Sequence, residues 1–487
     1  MAKHKRSSRA PQARHGAKSK ASRHDRRDRL ANRKANRRRT TSAKVPLTGG
    51  VAELAERMSG MLDARQGFRL PIVLAGAMLA GSRRTASRWF RAAGVADDWD
   101  RFYDLLGSIG RLTTPLIMPL LMLLVRRFDP GPNGRWKMVV DDSPTERFGR
   151  HVEAANVHHH PTPGPVGSPW LYGHNWVCLA ILLNHSSWGT LALPILSKLY
   201  VRLADLGKLK ARYSWDFHTK HELALQLILT VTQRLISLGS RAGFLVVIDG
   251  AYAARRLLYP LVKQGIHVIS RLRRDAVLFD LPPAPQSGRG RPRLYGKNRI
   301  SLAKRAGHRS GWKTLTFMCR GIEVTRRYKT FLATTKLTGG VIRVVLLEHE
   351  RGNWAAYFCS DTEMDAKAIL EAGSERWAIE EHFHDVKEVW GAGQQQVRNV
   401  WTNIGCWHLN TWLYTMVELE CWDLPASDLV DRSDRSWDNP SRRPSHADRR
   451  RKIMRQMLEK HFLRDLPRGR SKSKYRDRII ELLNLAA

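Results

Sequence analysis

The sequence predicts an α/β protein, a mixed β-sheet covered by helices and preceded by a helical N-terminal region. Three observations carry that prediction. Between Trp136 and Leu272, β-rich runs alternate with helical ones, the pattern of a sheet flanked by helices. Two of the β-rich runs, WKMVVDDS (Trp136 to Ser143) and FLVVIDGAY (Phe244 to Tyr252), end in aspartate, and open α/β sheets do their chemistry at strand ends. The stretch ERWAIEEHFHDVKEVWGAGQQQVRN (Glu375 to Asn399), drawn as one α-helix, brings Arg376, Glu380, Phe383 and Lys387 into an arc of roughly 60°.

The chain has 487 residues, enough for a main domain with attachments. Residues 1–48 are Arg, Lys, Ser and Ala with almost no large apolar side chain, and they read as a disordered basic arm. Residues 49–130 show helical apolar spacing and form a helical region able to bind DNA. Within it, Ser82 to Gly94 reads as a short helix behind a Ser cap, with Arg83, Arg84, Arg88 and Arg91 around Trp89 and Phe90. That is either the second helix of a helix-turn-helix or a packing unit. The longest apolar run, Pro115 to Val125, is shorter than the ~20 residues a spanning helix needs, so it reads as a buried helix and no membrane is expected.

Residues 131–425 form the main domain. Strands are expected at Trp136 to Asp141, Trp176 to Leu183, Thr190 to Leu196, Phe244 to Ile248 and Ile266 to Leu272, with helices at His218 to Leu238 and Ala251 to Lys263. From about 273 to 360 the pattern turns β-rich, an insertion ahead of the glutamate helix. Asn399 to Cys421 resumes as a buried helix. Residues 426–487 are basic, with helices expected at His446 to Leu463 and Tyr475 to Leu485.

The formal net charge of +39 exceeds what solubility requires and points to a polyanionic partner, with double-stranded DNA first among the candidates. Five cysteines without a CxxC pair argue against a disulfide framework or a Cys-based zinc site and fit a reducing cytosol. The N-terminus lacks the apolar segment of a secretory signal.

Alone, the Glu380 stretch is an amphipathic surface helix with i,i+4 ion pairs. Two strand-end aspartates and a helix glutamate together make a different unit, a hard oxygen-only site suited to Mg²⁺, with Mn²⁺ as the alternative. Two such ions about 4 Å apart activate a water or 3′ hydroxyl and stabilise the leaving oxygen in a displacement at phosphorus. Arg376 and Lys387 would hold the phosphate or DNA backbone beside them.

These residues resemble a known family. Arg376, Glu380 and Lys387 match the R-x3-E-x6-K part of the Y-x2-R-x3-E-x6-K signature of DDE insertion-sequence transposases. Asp141-Asp142-Ser143 resembles their first acidic motif, and Ile248 to Tyr252 resembles the second. The resemblance covers roughly Trp136 to Cys421. It implies an RNase H-like catalytic core with the insertion before the glutamate, and Mg²⁺-dependent cut-and-paste transposition. It also implies terminal inverted repeats and target DNA as partners, a dimer in the active complex, and a bacterial cytoplasmic, nucleoid-associated location. By the same resemblance Asp141, Asp249 and Glu380 are catalytic metal ligands, with Asp142 in reserve for Asp141 because adjacent strand residues face opposite ways. One departure stands out: the signature tyrosine falls on Gly373.

Other groups are weighed beside these. Arg289 and Arg291 of the RGRP segment suit an A/T-rich minor groove if they are more than a solvated loop. Tyr328 and Lys329 lie in the insertion, where they could reach the DNA backbone. His158, His159, His160 and His174 lack the partners and spacing of a zinc site. Trp390, Trp401, Trp407 and Trp412 read as core rather than as base-stacking platforms. The sequence therefore predicts a transposase, against an RNase H-like nuclease without strand transfer or a non-catalytic basic DNA-binding protein.

Overall fold

A computed structural model describes residues 42–159, 169–283, 293–349, 353–430, 437–439 and 441–464. Most of the basic arm, His160, Arg289 and Arg291, and the expected helix from Tyr475 lie outside the described residues.

The N-terminal helices are α1 (Gly49–Ser59), α2 (Leu70–Leu79), α3 (Ala86–Ala92), α4 (Trp99–Arg111) and α5 (Met118–Phe128). Helix α2 is buried nearly all round, so it forms the centre of this layer rather than an amphipathic edge. Helix α3 is capped by the Thr85 hydroxyl, which accepts from the Arg88 N–H, three residues beyond the Ser82 cap expected from the sequence. Trp89 and Phe90 are buried in the common core. Helices α4 and α5 are each too short to span a bilayer, and no single helix among the described residues is long and apolar enough to do so.

The sheet begins with β1 (Arg135–Glu146), β2 (Asn156–His159), β3 (Trp170–His185) and β4 (Gly189–Tyr200). Helices α6 (Leu206–Tyr213) and α7 (Lys220–Ser237) follow, then β5 (Gly243–Ile248), α8 (Arg255–Lys263) and β6 (His267–Leu272). A capping box starts α7, with Thr219 and Glu222 satisfying each other's backbone N–H groups. Strand β4 pairs with β3, β3 runs antiparallel to β1, and β5 and β6 are added parallel to β1. Helix α7 carries the crossover from β4 to β5, and α8 that from β5 to β6. The resulting order, β4-β3-β1-β5-β6, is the RNase H-like core.

The β-rich segment after β6 is not a separate body. It contains β7 (Leu278–Phe279), β8 (Arg299–Ile300), α9 (Leu302–Gly307), β9 (Lys313–Cys319), β10 (Ile322–Thr335), β11 (Gly340–Glu348) and β12 (Trp354–Cys359). Strand β12 runs antiparallel to β6, so these strands prolong the main sheet to twelve. Pairing with the free edge of β6 satisfies backbone groups that a detached insertion would leave open.

Helices α10 (Ala366–Glu375) and α11 (Ala378–Glu388) come next, then α12 (Val400–Cys421) and α13 (His446–Arg464). The single helix expected over Glu375 to Asn399 is thus corrected to a junction, one helix and a loop. Trp377, Ile379 and Glu380 donate to carbonyls three residues back, a tight 3₁₀-type turn that kinks α10 into α11. Helix α11 stops at Glu388 because Gly391 and Gly393 take φ of +68° and +103°, left-handed angles that continue no helix.

Alternation along the strands builds two cores. Val246, Ile248 and Val268 face the large core, which joins the N-terminal helices, the sheet, α12 and α13. Leu245, Val247 and Ile269 face the other way, into a smaller core closed by Ile369 and Leu370 of α10.

Candidate active site

Strands β1 and β5 are parallel, with Val140 opposite Ile248, so Asp141 follows in β1 at the level where Asp249 leaves the end of β5. Helix α11 packs across β1 and β4 and brings Glu380 to the same place. The Arg376 guanidinium joins the two elements: one nitrogen donates to Asp141 Oδ2 at 2.7 Å and another to Glu380 Oε1 at 2.7 Å. The Asp249 carboxylate accepts from the Ala251 N–H at 3.1 Å, capping the turn that follows. Its charge is felt at Asp141.

Asp141 and Asp142, alternatives in the sequence, have different partners because adjacent strand residues face opposite ways. Asp142 accepts from Lys220 Nζ at 2.7 Å and from the Tyr252 hydroxyl at 2.8 Å. It thereby ties β1 to the start of α7 and to the turn after Asp249, while Asp141 turns toward Glu380. Burial pushes the Asp141 carboxyl up to about 6; Asp142 and Asp249 add to the rise, and Arg376 and the Asp142 N–H oppose it. Burial, then the Asp142 carboxylate, likewise raises the Tyr252 phenol well above its ordinary value.

Lys387 lies two turns after Glu380 on the same helix face. Burial lowers its pKa, and it senses Cys178, the residue opposite Asp141 on β3. It has no hydrogen-bonding partner among the described residues. The cationic flank expected around Glu380 is therefore present, but Arg376 is engaged with the two acids.

Two residues expected to reach DNA also have contacts within the protein. Lys329 donates to the carbonyls of Arg305 and His308, at 2.8 and 2.7 Å, and its ammonium lies over the Trp312 ring, so it closes the end of α9. Tyr328 packs on the smaller core. Of the histidines, His174 accepts from Arg147 at Nδ1 and bonds the Glu153 carbonyl through Nε2, which occupies both ring nitrogens, and burial with Arg147 holds it down to about 3. Trp390, Trp407 and Trp412 are buried, Trp407 stacking on Trp176 at 4.9 Å. Trp401 is half-buried against the same core.

Among the described residues no three His, Cys, Asp or Glu side chains stand together as metal ligands. Asp141 and Glu380 nonetheless present hard carboxylate oxygens, and the guanidinium between them supplies the positive charge a divalent ion would bring. A divalent ion held by these two carboxylates would have to displace Arg376.

Sequence reasoning missed the walls of the site. A cavity of about 580 Å³ lies on one side of Glu380, lined by Trp188, Trp377, Glu381, Arg442 and Arg443 among others. Another, of about 400 Å³, lies by Arg376 and includes Arg271, Arg320, Tyr357 and Gly373. A Cβ at position 373 would lie 3.6 Å from the Tyr357 ring, so an aromatic ring from β12 fills the space beside this glycine. The sequence signal for the hairpin that carries Arg320 was Gly321, a turn residue between two β-rich runs.

The sequence matches the family described as "DDE superfamily endonuclease" over residues 57–331, a span that includes Asp141, Asp142 and Asp249 and ends before Glu380. No curated protein matches it. Among solved structures, the chain is similar to a piggyBac transposase synaptic complex with hairpin DNA determined by cryo-EM. That match is at 9% identity and a TM-score of 0.37, covering 90% of this chain and 76% of that one.

Proposed function

Because this chain belongs to the DDE superfamily of endonucleases, we propose that it is the transposase of a bacterial insertion sequence, cutting the element out and joining its ends to a target. Asp141, Asp249 and Glu380 are the catalytic carboxylates of this proposal. The observation that carries it is the pair of 2.7 Å bonds by which Arg376 joins Asp141 to Glu380, residues 239 positions apart (380 − 141), beside the parallel-strand neighbour Asp249. An ordinary surface helix gives no reason for that convergence.

Asp141, Asp249 and Glu380 would hold Mg²⁺ or Mn²⁺, which would activate the attacking oxygen and stabilise the leaving one. Arg376, released from one acid, and Lys387 would then face the phosphate. Asp142 acts through position, holding Tyr252 and Lys220 so that both strand ends stay in register. The inverted repeats and target DNA are the partners, with Arg289 and Arg291 assigned to flanking DNA. Two copies pair the two ends, at the nucleoid in the cytoplasm.

The test is incubation of purified protein with DNA carrying the element's ends and Mg²⁺ or Mn²⁺. Wild type should give both cut and joined products. Glu380→Gln, Asp141→Asn and Asp249→Asn should each lose at least about a hundredfold in cutting rate. Cutting without joining would reassign the protein as a nuclease, and full activity in Glu380→Gln would remove the catalytic assignment.

A further inference from the structure

The cavity beside Arg376 contains no carboxylate. Its charged lining is Arg271, Arg320 and Arg376, with His349 beside them and Tyr357 and Trp377 as aromatic walls. Arg376 is engaged with Asp141 and Glu380, but Arg271 and Arg320 are exposed and meet no acid among the described residues. Arg271 stands next to the catalytic turn: a Cβ on Gly250, the residue after Asp249, would touch it at 3.6 Å. It also faces Tyr357 directly across the β6–β12 pairing.

Arg320 reaches the same cavity by an unusual route. Cys319 pairs with Ile322, so Arg320 and Gly321 are the whole turn of the β9–β10 hairpin, with φ of +53° and +79°. Both angles are left-handed, as a two-residue hairpin turn requires, and the first site favours Asn, Asp or Gly. An arginine there accepts backbone strain that an asparagine would avoid. The tip is held in place: Met318 donates its N–H to Glu371 at 3.0 Å, and Ser374 bonds the Met318 carbonyl, both residues of α10. The guanidinium consequently lies 3.8 Å over the ring of Trp377, the residue that caps α11.

We propose that this cavity is a binding site for the phosphodiester backbone of the DNA strand beside the scissile phosphate, with Arg271 and Arg320 as its phosphate contacts. The proposal rests on the catalytic reading above. The guanidiniums of Arg271, whose backbone packs against the turn after Asp249, and of Arg320, laid over Trp377, offer a phosphate two-pronged, charge-assisted hydrogen bonds. The Tyr357 phenol, which lines the cavity and has no hydrogen-bonding partner among the described residues, adds an uncharged donor.

The test measures binding of a labelled DNA duplex as a function of salt, with Arg320→Asn, Arg271→Ala, Tyr357→Phe and, as a control for net charge, Arg234→Ala on the exposed face of α7. Arg320→Asn and Arg271→Ala should each weaken binding by about tenfold and reduce the slope of log affinity against log salt by about one. Tyr357→Phe should weaken binding a few-fold with the slope unchanged, and Arg234→Ala should match wild type. Arg320→Asn suits the turn, so its melting temperature should equal or exceed that of wild type, which separates a lost contact from a lost fold. Wild-type affinity and slope in both arginine variants would overturn the proposal. Glu380→Gln, assayed alongside, should bind like wild type and fail to cut. If it cuts, the catalytic reading falls, while a changed slope in the arginine variants would still assign the cavity to phosphate.

Discussion

Asp141 combines burial, two acidic neighbours and one cation, and its raised pKa has a definite consequence for stability. The folded value of about 6 lies above the ~3.9 of an unfolded aspartate. As pH rises between those values the unfolded chain gives up its proton first, so the folded state loses stability across that window and stays lower above it. In metal-free protein, Asp141→Asn should melt with wild type near pH 4 and be more stable above pH 6, by on the order of 2 kcal/mol. Thermal melts against pH in a chelating buffer check this, and equal melting curves at pH 7.5 would refute the burial argument. Adding Mg²⁺ should raise the melting temperature of wild type more than that of Asp141→Asn, because a neutral amide is a weaker ligand than the carboxylate it replaces. Sequence spacing brought the acids into view as a set, yet it left Asp141 and Asp142 equivalent. Their different fates depend on which face of the pleat meets α11, and that is a property of packing.

At the scale of elements, the placement of α11 depends on α12 and on the loop between them. Helices α4 and α12 cross where two glycines meet: a Cβ on Gly110 would lie 1.9 Å from the Trp401 carbonyl oxygen, and one on Gly405 2.0 Å from that of Leu106. Helix propensity alone would favour alanine at either position by about 1 kcal/mol. The crossing reverses the sign, and Gly110→Ala or Gly405→Ala should destabilise by at least about 1–3 kcal/mol in denaturant titration. The loop is tied back to the N-terminal layer, since Arg84 takes its N–H to Gln394 at 2.7 Å and accepts from Gln395 at 2.7 Å through its carbonyl. Arg84, one of four arginines in a segment the sequence left open between a DNA-reading helix and a packing unit, is thus part of the brace for α11. The helix over Glu375 to Asn399 was legible only in its middle. Its break at Arg376 and Trp377 carries no proline or glycine and follows from α10 and α11 packing on different parts of the sheet.

Across the whole molecule, α13 closes the core beside the site. Glu418 of α12 is buried and accepts from Arg449 at 2.9 Å, and it also bonds His446. Trp390, just past α11, donates to the other ring nitrogen of His446 at 2.7 Å. Removing the carboxylate would leave the Arg449 charge buried without its partner, so Glu418→Gln should cost about 3–5 kcal/mol in stability while touching none of the proposed catalytic acids. The net charge of +39 acts at the same scale: DNA affinity should fall steeply with salt, and deleting residues 1–48 should flatten that dependence without changing the cutting rate at saturating DNA. By itself, the sequence determined most of the order of strands and helices, the three candidate acids and the large positive charge, because periodicity, strand-end chemistry and charge are local or additive quantities. Only the tertiary structure decided which aspartate meets Glu380, that the β-rich segment prolongs the sheet, and that Arg271, Arg320 and Tyr357 share one cavity. Those facts depend on contacts between residues tens to hundreds of positions apart, which no local pattern encodes.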